Sequence, residues 1–256
     1  MKPLGLISCA AAALMLAACS AHVQTSSGAD YLARYAQYDA AETPGTASET
    51  DKAIREIAAI EPELQFPARI GLARIGEYGK LVTIPAAELA IWSDLAEAYG
   101  PEIGEFVPVS PLIASMVADP HPATGNRTAA LIDHIRRGAA RQHIDYVLIY
   151  ETGLSQHDKA NGLALADLTI VGMFVLPSRN VEVEASASGM LLDVRNGYPY
   201  ATLTAHAEKK GLTRAINTWS KRRELSATAE EKAVLELADD MKEAIELLAA
   251  AAEASE

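Results

Sequence analysis

Three short apolar runs in the chain follow the pattern of β-strands. Residues 68–75 alternate between apolar and polar or small side chains, and residues 103–109 form a second apolar run. The third run, 144–151, is dense in β-branched and aromatic residues, which is typical of a central strand covered on both faces. We therefore predict strands over Ala68–Ile75, Ile103–Val109 and Ile144–Glu151.

The stretches between these runs have the period of helices instead. Leu89, Trp92 and Tyr99 share one helical face, in a stretch that ends before Gly100. A second amphipathic stretch covers Asn126–His143. The order strand, helix, strand, helix, strand predicts an α/β fold with a partly parallel sheet.

The next part of the chain contains strand patterns without helices between them. Leu165–Leu176, Val181–Val194 and Tyr198–Glu208 are three consecutive candidates. Asn196 and Gly197 both tolerate the positive φ of a type I′ turn, so they predict a hairpin between the last two strands. We therefore expect an antiparallel meander of three strands.

Two helices are predicted to close the chain. Leu212–Arg223 is short, and its last residues, Lys221–Arg223, are basic, as suits the negative end of a helix dipole. Thr228–Glu231 has the pattern of a capping box, and a long final helix follows it. One apolar stripe runs along that helix: Val234, Leu237, Met241, Ile245 and Leu248.

Taken together, the elements predict the α/β class. We expect a mixed sheet that is formed by a βαβαβ unit followed by a three-strand antiparallel meander. Helices pack on this sheet, and a long helix ends the chain. Amphipathic helices and half-covered strands must bury their apolar faces against each other, and such a layered arrangement achieves this.

The N-terminus has the features of a lipoprotein signal peptide. Lys2 precedes an apolar run of about 15 residues, which is too short to anchor a protein across a bilayer. The run ends in Leu16-Ala17-Ala18-Cys19, which resembles the bacterial lipobox. We therefore predict that residues 1–18 are a signal peptide and that Cys19 is the lipidation site. Ser20 follows the cysteine where aspartate would indicate retention in the inner membrane, which favours the periplasmic face of the outer membrane.

Composition divides the rest of the chain. Residues after the lipobox are rich in serine, threonine, alanine and glycine, which is typical of a flexible tether. Within this stretch Tyr31, Tyr35 and Tyr38 share a helical face and indicate a short surface helix. The predicted parts are the tether over residues 19–50, the α/β domain over 51–225 and the C-terminal helix over 226–256.

The chain is acidic, with 22 lysine and arginine residues against 34 aspartate and glutamate residues and a net charge of −12. It contains no basic stripe with interleaved aromatic residues, so nucleic acid is not expected as a partner. Half of the residues are hydrophobic, which is sufficient for a core. Cys19 is the only cysteine after residue 18, so we predict neither an internal disulfide nor a thiolate metal site.

Few residues point to reaction chemistry. The motifs Gly-x-Ser-x-Gly, Ser-x-x-Lys, Gly-x-Gly-x-x-Gly and His-Glu-x-x-His do not occur. The best adjacent acid–base pair is His157 with Asp158, in the polar stretch Thr152–Asn161, which we predict to be a loop. His121 lies in a second predicted loop, Pro108–Gly125. Both loops follow predicted strands, where α/β sheets commonly bind ligands, so these three residues are candidate ligand-binding residues. We predict no catalytic residue, metal ligand or cofactor.

Several stretches together are similar to one family. Ser26-Ser27-Gly28-Ala29-Asp30-Tyr31-Leu32 follows the lipobox, Leu64–Ala73 opens the domain, and Ile144–Tyr150 and Leu168–Pro177 come later. On these residues the chain resembles the rhombotarget lipoproteins, a group of bacterial envelope lipoproteins. The family name implies a C-terminal sorting tail, and Ala249–Glu256 departs from it, with neither a glycine pair nor a basic end. The order of strands and helices is also similar to α/β lipoprotein domains of the curli-secretion and penicillin-binding-protein-activator types.

These features lead to two hypotheses about function. The first is a non-enzymatic binding, assembly or adaptor module, which contacts the lipid bilayer through acylated Cys19 and binds another envelope protein. The predicted anchor, together with the missing catalytic motifs, favours it. The alternative is a small-ligand-binding or hydrolytic envelope protein that uses the loops at the ends of its strands.

Overall fold

The computed structural model describes residues 20–34, 48–118, 126–160, 179–213 and 217–255, which form one seven-stranded sheet and six α-helices. None of the helices in these ranges is long and apolar enough to cross a bilayer. The strands are β1 (Ser20–Val23), β2 (Ala68–Gly76), β3 (Lys80–Val82), β4 (Gly104–Pro108), β5 (Tyr146–Ala160), β6 (Arg179–Asp193) and β7 (Pro199–Thr213). The helices are α1 (Gly28–Ala33), α2 (Glu49–Ala58), α3 (Ala86–Tyr99), α4 (Pro111–Met116), α5 (Arg127–Arg141) and α6 (Thr218–Ser255).

The sheet combines parallel and antiparallel pairing, in the order β1-β7-β6-β5-β2-β3, and β4 also pairs with β2. β2 is parallel to both β4 and β5, with Ala68 opposite Gly104 and Ile70 opposite Tyr146. β5, β6 and β7 follow one another antiparallel, so β5 is the first described strand of the meander. The predicted fold class is confirmed, whereas the predicted strand Leu165–Leu176 lies outside the described residues.

Helices cover both faces of the sheet. On one face, where α3 and α6 pack, Trp92 is fully buried, and its ring centroid lies 6.5 Å from that of Phe106 and 5.5 Å from that of Tyr150. On the other face, Ile135 and Ala139 of α5 pack against the sheet. The first part of β5 is therefore buried on both sides, which is why its sequence is almost continuously apolar.

α6 is one continuous helix of 38 residues, where the sequence predicted two helices with a boundary after residue 225. β7 extends to Thr213, so the start of the predicted first helix belongs to the sheet. The Thr228 hydroxyl donates to the carbonyl oxygen of Glu224 at 3.0 Å instead of capping a helix N-terminus. Lys221–Arg223 therefore lies in the first turns of α6, not at a helix C-terminus as predicted. The predicted apolar stripe is fully buried: Val234, Leu237, Met241, Ile245 and Leu248.

The first described residues belong to the sheet, although the sequence predicted a flexible tether there. β1 lies at the sheet edge, where Ser20 is opposite Thr204 of β7. The pairing continues after the strand, because the amide of Gln24 donates to the carbonyl oxygen of Tyr200 at 2.8 Å. The edge of β7 that does not pair with β6 thus supplies hydrogen-bond partners that hold this segment on the domain.

α1 is attached to the domain by one carboxylate. Glu61 accepts hydrogen bonds from the first two amides of α1, at 3.1 and 2.7 Å. These hydrogen bonds stabilise the ionised form and lower the pKa of Glu61. Tyr31 lies on the surface of α1 and is 38% exposed, while Tyr35 and Tyr38 lie outside the described residues.

A buried aspartate shapes the connection between β6 and β7. Asp193 is fully buried and accepts hydrogen bonds from the backbone amides of Arg195, at 2.7 Å, and Asn196, at 3.3 Å. The Arg195 guanidinium also binds it at 2.9 Å, and this hydrogen bond raises the pKa of Arg195. Between β6 and β7, only Gly197 has a positive φ, of 78°. The predicted hairpin is confirmed, but the predicted type I′ turn is wrong, because binding to Asp193 favours a longer connection.

Gly104 begins β4 at a close approach to β2. Its φ is +114°, and a Cβ atom there would lie 1.9 Å from the carbonyl oxygen of Ala68. We expect Gly104→Ala to lower the free energy of unfolding by about 3 kcal/mol, because backbone strain and a steric clash both oppose alanine. Urea denaturation followed by circular dichroism measures this change.

Gly100→Ala is the matched control for this prediction. Gly100 also has a positive φ, of 66°, but no atom lies within 4 Å of the position that its Cβ would take. The control should therefore lose only about 1 kcal/mol, from backbone strain alone. Equal losses in the two variants would contradict the steric clash at Gly104.

Candidate functional site

A polar cavity of about 550 Å³ opens where β2 ends beside β5. β2 stops at Gly76 and turns into β3, whereas β5 continues to Ala160 with β6 as its partner. The recess lies at the carboxyl end of β2, a common place for ligands in α/β sheets. Its lining includes Arg74, Glu77, Tyr78, Glu151, Thr152 and Glu230.

A buried ion pair lies behind this lining. Nε of Arg74, in β2, donates to both carboxylate oxygens of Glu88, in α3, at 2.8 and 3.0 Å. The two side chains are only 15% and 7% exposed, and the Tyr150 hydroxyl donates to Glu88 at 2.9 Å. Burial, together with the charge of Glu88, raises the pKa of Tyr150, so its hydroxyl stays protonated. Each buried charge therefore depends on its partner and on these hydrogen bonds.

Thr152 links this ion pair to α6. Nη2 of Arg74 donates to the Thr152 hydroxyl oxygen at 3.1 Å, and the hydroxyl donates to Oε1 of Glu230 at 3.1 Å. A threonine hydroxyl donates and accepts at the same time, so the hydrogen bonds form a continuous network. The network joins four elements: α3, β2, β5 and α6. Its members are Tyr150, Glu88, Arg74, Thr152 and Glu230.

The charges around the cavity are unequal. Glu88 compensates the charge of Arg74, whereas Glu77, Glu151 and Glu230 add three carboxylates to the lining. Among the described residues, no group of three or more histidine, cysteine, aspartate or glutamate side chains is arranged to hold a metal ion. The cavity therefore offers hydrogen-bond acceptors and negative charge to a small polar molecule.

A strained aromatic residue lies at the rim of the cavity. Tyr78 is in the turn between β2 and β3, with a φ of 65°, and is 92% exposed. A side chain in this left-handed region costs about 1–2 kcal/mol, and such strain is concentrated at functional sites. The amide of Gly79 closes the turn by donating to the carbonyl oxygen of Gly76 at 3.2 Å. The turn holds an exposed ring at the opening of the cavity.

Two of the three predicted ligand-binding residues lie in a strand. His157 and Asp158 are within β5, in its ladder to β6. The predicted loop Thr152–Asn161 is therefore wrong, because an unbroken series of backbone hydrogen bonds to β6 extends β5 to residue 160. His121 lies outside the described residues. In the other predicted loop, Pro108–Gly125, residues 111–116 form α4.

The buried network was not predicted from the sequence, although two of its residues break a clear pattern. Ile70, Leu72 and Arg74 occupy alternate positions of β2, so Arg74 is a charged residue on the same strand face as two buried apolar residues. Glu88 precedes Trp92 by about one helical turn and shares the buried face of α3. A charge on an apolar face requires a partner, and this rule could have identified both residues.

Comparison with known proteins finds similarity to solved structures. No protein-family model matches the chain, and no curated protein matches it. A PelC dodecamer variant from Paraburkholderia phytofirmans is 15% identical, with a TM-score of 0.29, over 69% of this chain and 93% of that chain. Another PelC dodecamer from Paraburkholderia phytofirmans is 17% identical, with a TM-score of 0.27, over 68% of this chain and 92% of that chain. Both TM-scores are low, so any functional proposal depends on this chain's own residues.

Removing one charge, and in a second variant both charges, tests the buried ion pair. We expect Glu88→Ala to lower the free energy of unfolding by about 3 kcal/mol, because it leaves the charge of Arg74 buried without its partner. Arg74→Met combined with Glu88→Leu should recover most of this loss, since neither residue then carries a charge. Urea denaturation measures all three proteins.

Glu97→Ala is the control for this test, since Glu97 is an exposed glutamate of the same helix. Its loss should stay within about 0.5 kcal/mol, as is usual for surface substitutions. If Glu88→Ala cost no more than this control, the ion pair would have no structural role.

Proposed function

We propose that the chain is a bacterial envelope lipoprotein of the rhombotarget type that its sequence resembles. In this proposal, acylation of Cys19 anchors it to the outer membrane, facing the periplasm. It acts there as a non-enzymatic binding, assembly or adaptor module for another envelope protein. The observation that carries the proposal is the position of Cys19, directly before Ser20, the first residue of β1. Cys19 itself lies outside the described residues.

The pairing of β1 supports a close attachment. Ser20 is opposite Thr204 of β7, so a lipid on the preceding residue would be joined to the edge of the sheet without an intervening tether. Consecutive Cα atoms are about 3.8 Å apart, which would hold the folded domain at the bilayer surface. A module attached in this way meets partners at the membrane and not deep in the periplasm.

The buried network supports a binding role over a catalytic one. Arg74, Tyr150 and Thr152 direct hydrogen bonds to one another or to Glu88 and Glu230. Polar groups that satisfy each other inside a protein stabilise its fold, and turning them toward a substrate would leave buried charges unpaired. The network therefore favours a stable wall for a binding surface.

Lipidation is tested by labelling cells with radioactive palmitate. We expect Cys19→Ala to abolish incorporation of the label, because the thiol of Cys19 is the proposed acceptor of the lipid. Cys9→Ala is the matched control, since it removes the other cysteine of the chain and leaves the lipobox intact. Immunoprecipitation followed by autoradiography gives the result. Label that persisted in Cys19→Ala would contradict the anchor.

The adaptor role is tested by crosslinking in cells followed by mass spectrometry. We expect one envelope protein to be recovered with the wild-type chain at near-stoichiometric yield. Recovery should fall strongly for a secreted form that carries Cys19→Ala, because the anchor raises the effective concentration of the two proteins at one surface. Equal recovery from both forms would contradict a partnership that depends on the anchor.

A second candidate function is the binding of a small ligand in the cavity beside Arg74. The observation that favours it is the cavity volume of about 550 Å³, which is in the range of ligand pockets. The carboxylates of Glu77, Glu151 and Glu230 favour a ligand with an ammonium or guanidinium group. Recovery of no specific protein in the crosslinking experiment would favour this candidate over the adaptor.

A further inference from the structure

The beginning of α6 carries an exposed surface beside the polar cavity, and Glu230 lines both. A groove of about 310 Å³ lies there between α6 and β5, at the end of the sheet where β5 extends beyond β2. We call it the Trp219 groove. Its lining includes Gln156, Trp219, Arg222, Arg223, Ser226 and Glu230.

Trp219 is exposed, which is unusual for so large an apolar side chain. It is 64% exposed, whereas Trp92, the other tryptophan, is fully buried. The guanidinium carbon of Arg223 lies 4.6 Å from the Trp219 ring centroid, within the distance of a cation–π interaction. A flat aromatic surface and a positive charge are therefore presented side by side.

The positive charges at the Trp219 groove lie near the N-terminus of α6, where the helix dipole is unfavourable for cations. Lys221, Arg222 and Arg223 are consecutive in the first two turns of α6. The helix dipole is positive at its N-terminus and repels cations there. Lys221 is paired with Glu224 at 2.6 Å, and Glu230 is the one carboxylate of the groove lining. In a chain with a net charge of −12, this placement indicates a role in binding an anionic surface.

The beginning of β1 faces the same end of the sheet. β1 is antiparallel to β7, so Ser20, opposite Thr204, is the residue of β1 nearest to Thr213. Near that end, a Cβ atom on Gly211 would lie 3.2 Å from Cε of Lys221. The segment from Thr204 to Thr213 spans about 30 Å. In the proposed anchorage, the lipid would therefore be attached at the end of β1 that is nearer to the Trp219 groove.

An exposed apolar side chain also lies at this end of the sheet. Leu212, near the end of β7, is 64% exposed. An exposed leucine, an exposed tryptophan and adjacent arginines together are the composition of a membrane interface.

We infer that the Trp219 groove is a second membrane contact, which binds the surface of a bilayer that contains anionic phospholipid. Arg222 and Arg223 bind headgroup phosphates through charge-assisted hydrogen bonds, and Trp219 lies at the level of the headgroups. The inference rests on the proposed anchorage for the membrane that the chain meets in the cell. Its test uses protein without the anchor, so the two proposals succeed or fail separately.

The test is cosedimentation of the chain with lipid vesicles. The protein carries Cys19→Ala and is purified after export on a cleavable signal, so that no lipid is attached. One set of vesicles contains phosphatidylethanolamine and phosphatidylglycerol, and the other contains phosphatidylcholine alone. We expect binding to the first set that added salt weakens, and little binding to the second. Replacing both arginines, by Arg222→Gln and Arg223→Gln, should weaken binding roughly 30-fold.

Arg127→Gln with Arg141→Gln is the matched control, because both arginines are exposed on α5, on the other face of the sheet. This control removes the same charge and should bind vesicles as the parent protein does. Trp219→Ala should weaken binding several-fold and abolish the blue shift of tryptophan emission on binding, since the buried Trp92 does not reach the bilayer. Circular dichroism verifies that each variant is folded.

Three results would overturn the inference. They are equal binding to the two sets of vesicles, an equal loss of binding in the α5 control, and no binding to phosphatidylglycerol vesicles at all. If Cys19 incorporates palmitate but the unlipidated chain does not bind vesicles, the second contact is wrong and the anchor stands. Arginine-dependent binding without incorporation of palmitate supports the contact and contradicts the anchor.

Discussion

The structure depends on the pairing of β5 with two partners of unequal length. Its residues 146–151 are parallel to β2, and all of β5, from Tyr146 to Ala160, pairs antiparallel with β6. Because β2 ends at Gly76, the sheet continues past this point as a narrower ribbon of β5, β6 and β7. One face of this ribbon is apolar and requires a cover, which the long helix α6 supplies. The polar cavity and the Trp219 groove both lie along the step where the sheet narrows.

The buried network occupies this step for a physical reason. Charges taken out of water lose their hydration, and that loss is offset only when partners and hydrogen bonds replace the water. Arg74 of β2 and Glu88 of α3 achieve this with help from Tyr150 and Thr152, both of β5. The network can therefore form only when β2, β5 and α3 are assembled, and it links the strength of each contact to the others.

The proposed attachments would set the orientation of the chain at a membrane. An anchor that immediately precedes an edge strand leaves the domain little freedom to move away from the bilayer. A second contact at Trp219 would remove much of the remaining rotation. A protein held in this way has already lost part of the entropy that association costs, so it can bind a partner through a small surface. The cavity beside Arg74 would keep a defined position relative to the bilayer.

The sequence by itself determined the elements whose patterns are local. The alternation in β2 and the helical period of α3 record which face each element buries, and this is enough for the fold class. The tertiary structure alone decided where elements end and which charges meet. Most of residues 152–160 are polar, and pairing with β6 holds them in a strand. Lys221–Arg223 begins a helix because α6 continues without a break across the ribbon. Arg74 meets Glu88 because α3 folds back onto β2, and a local pattern contains no information about such long-range contacts.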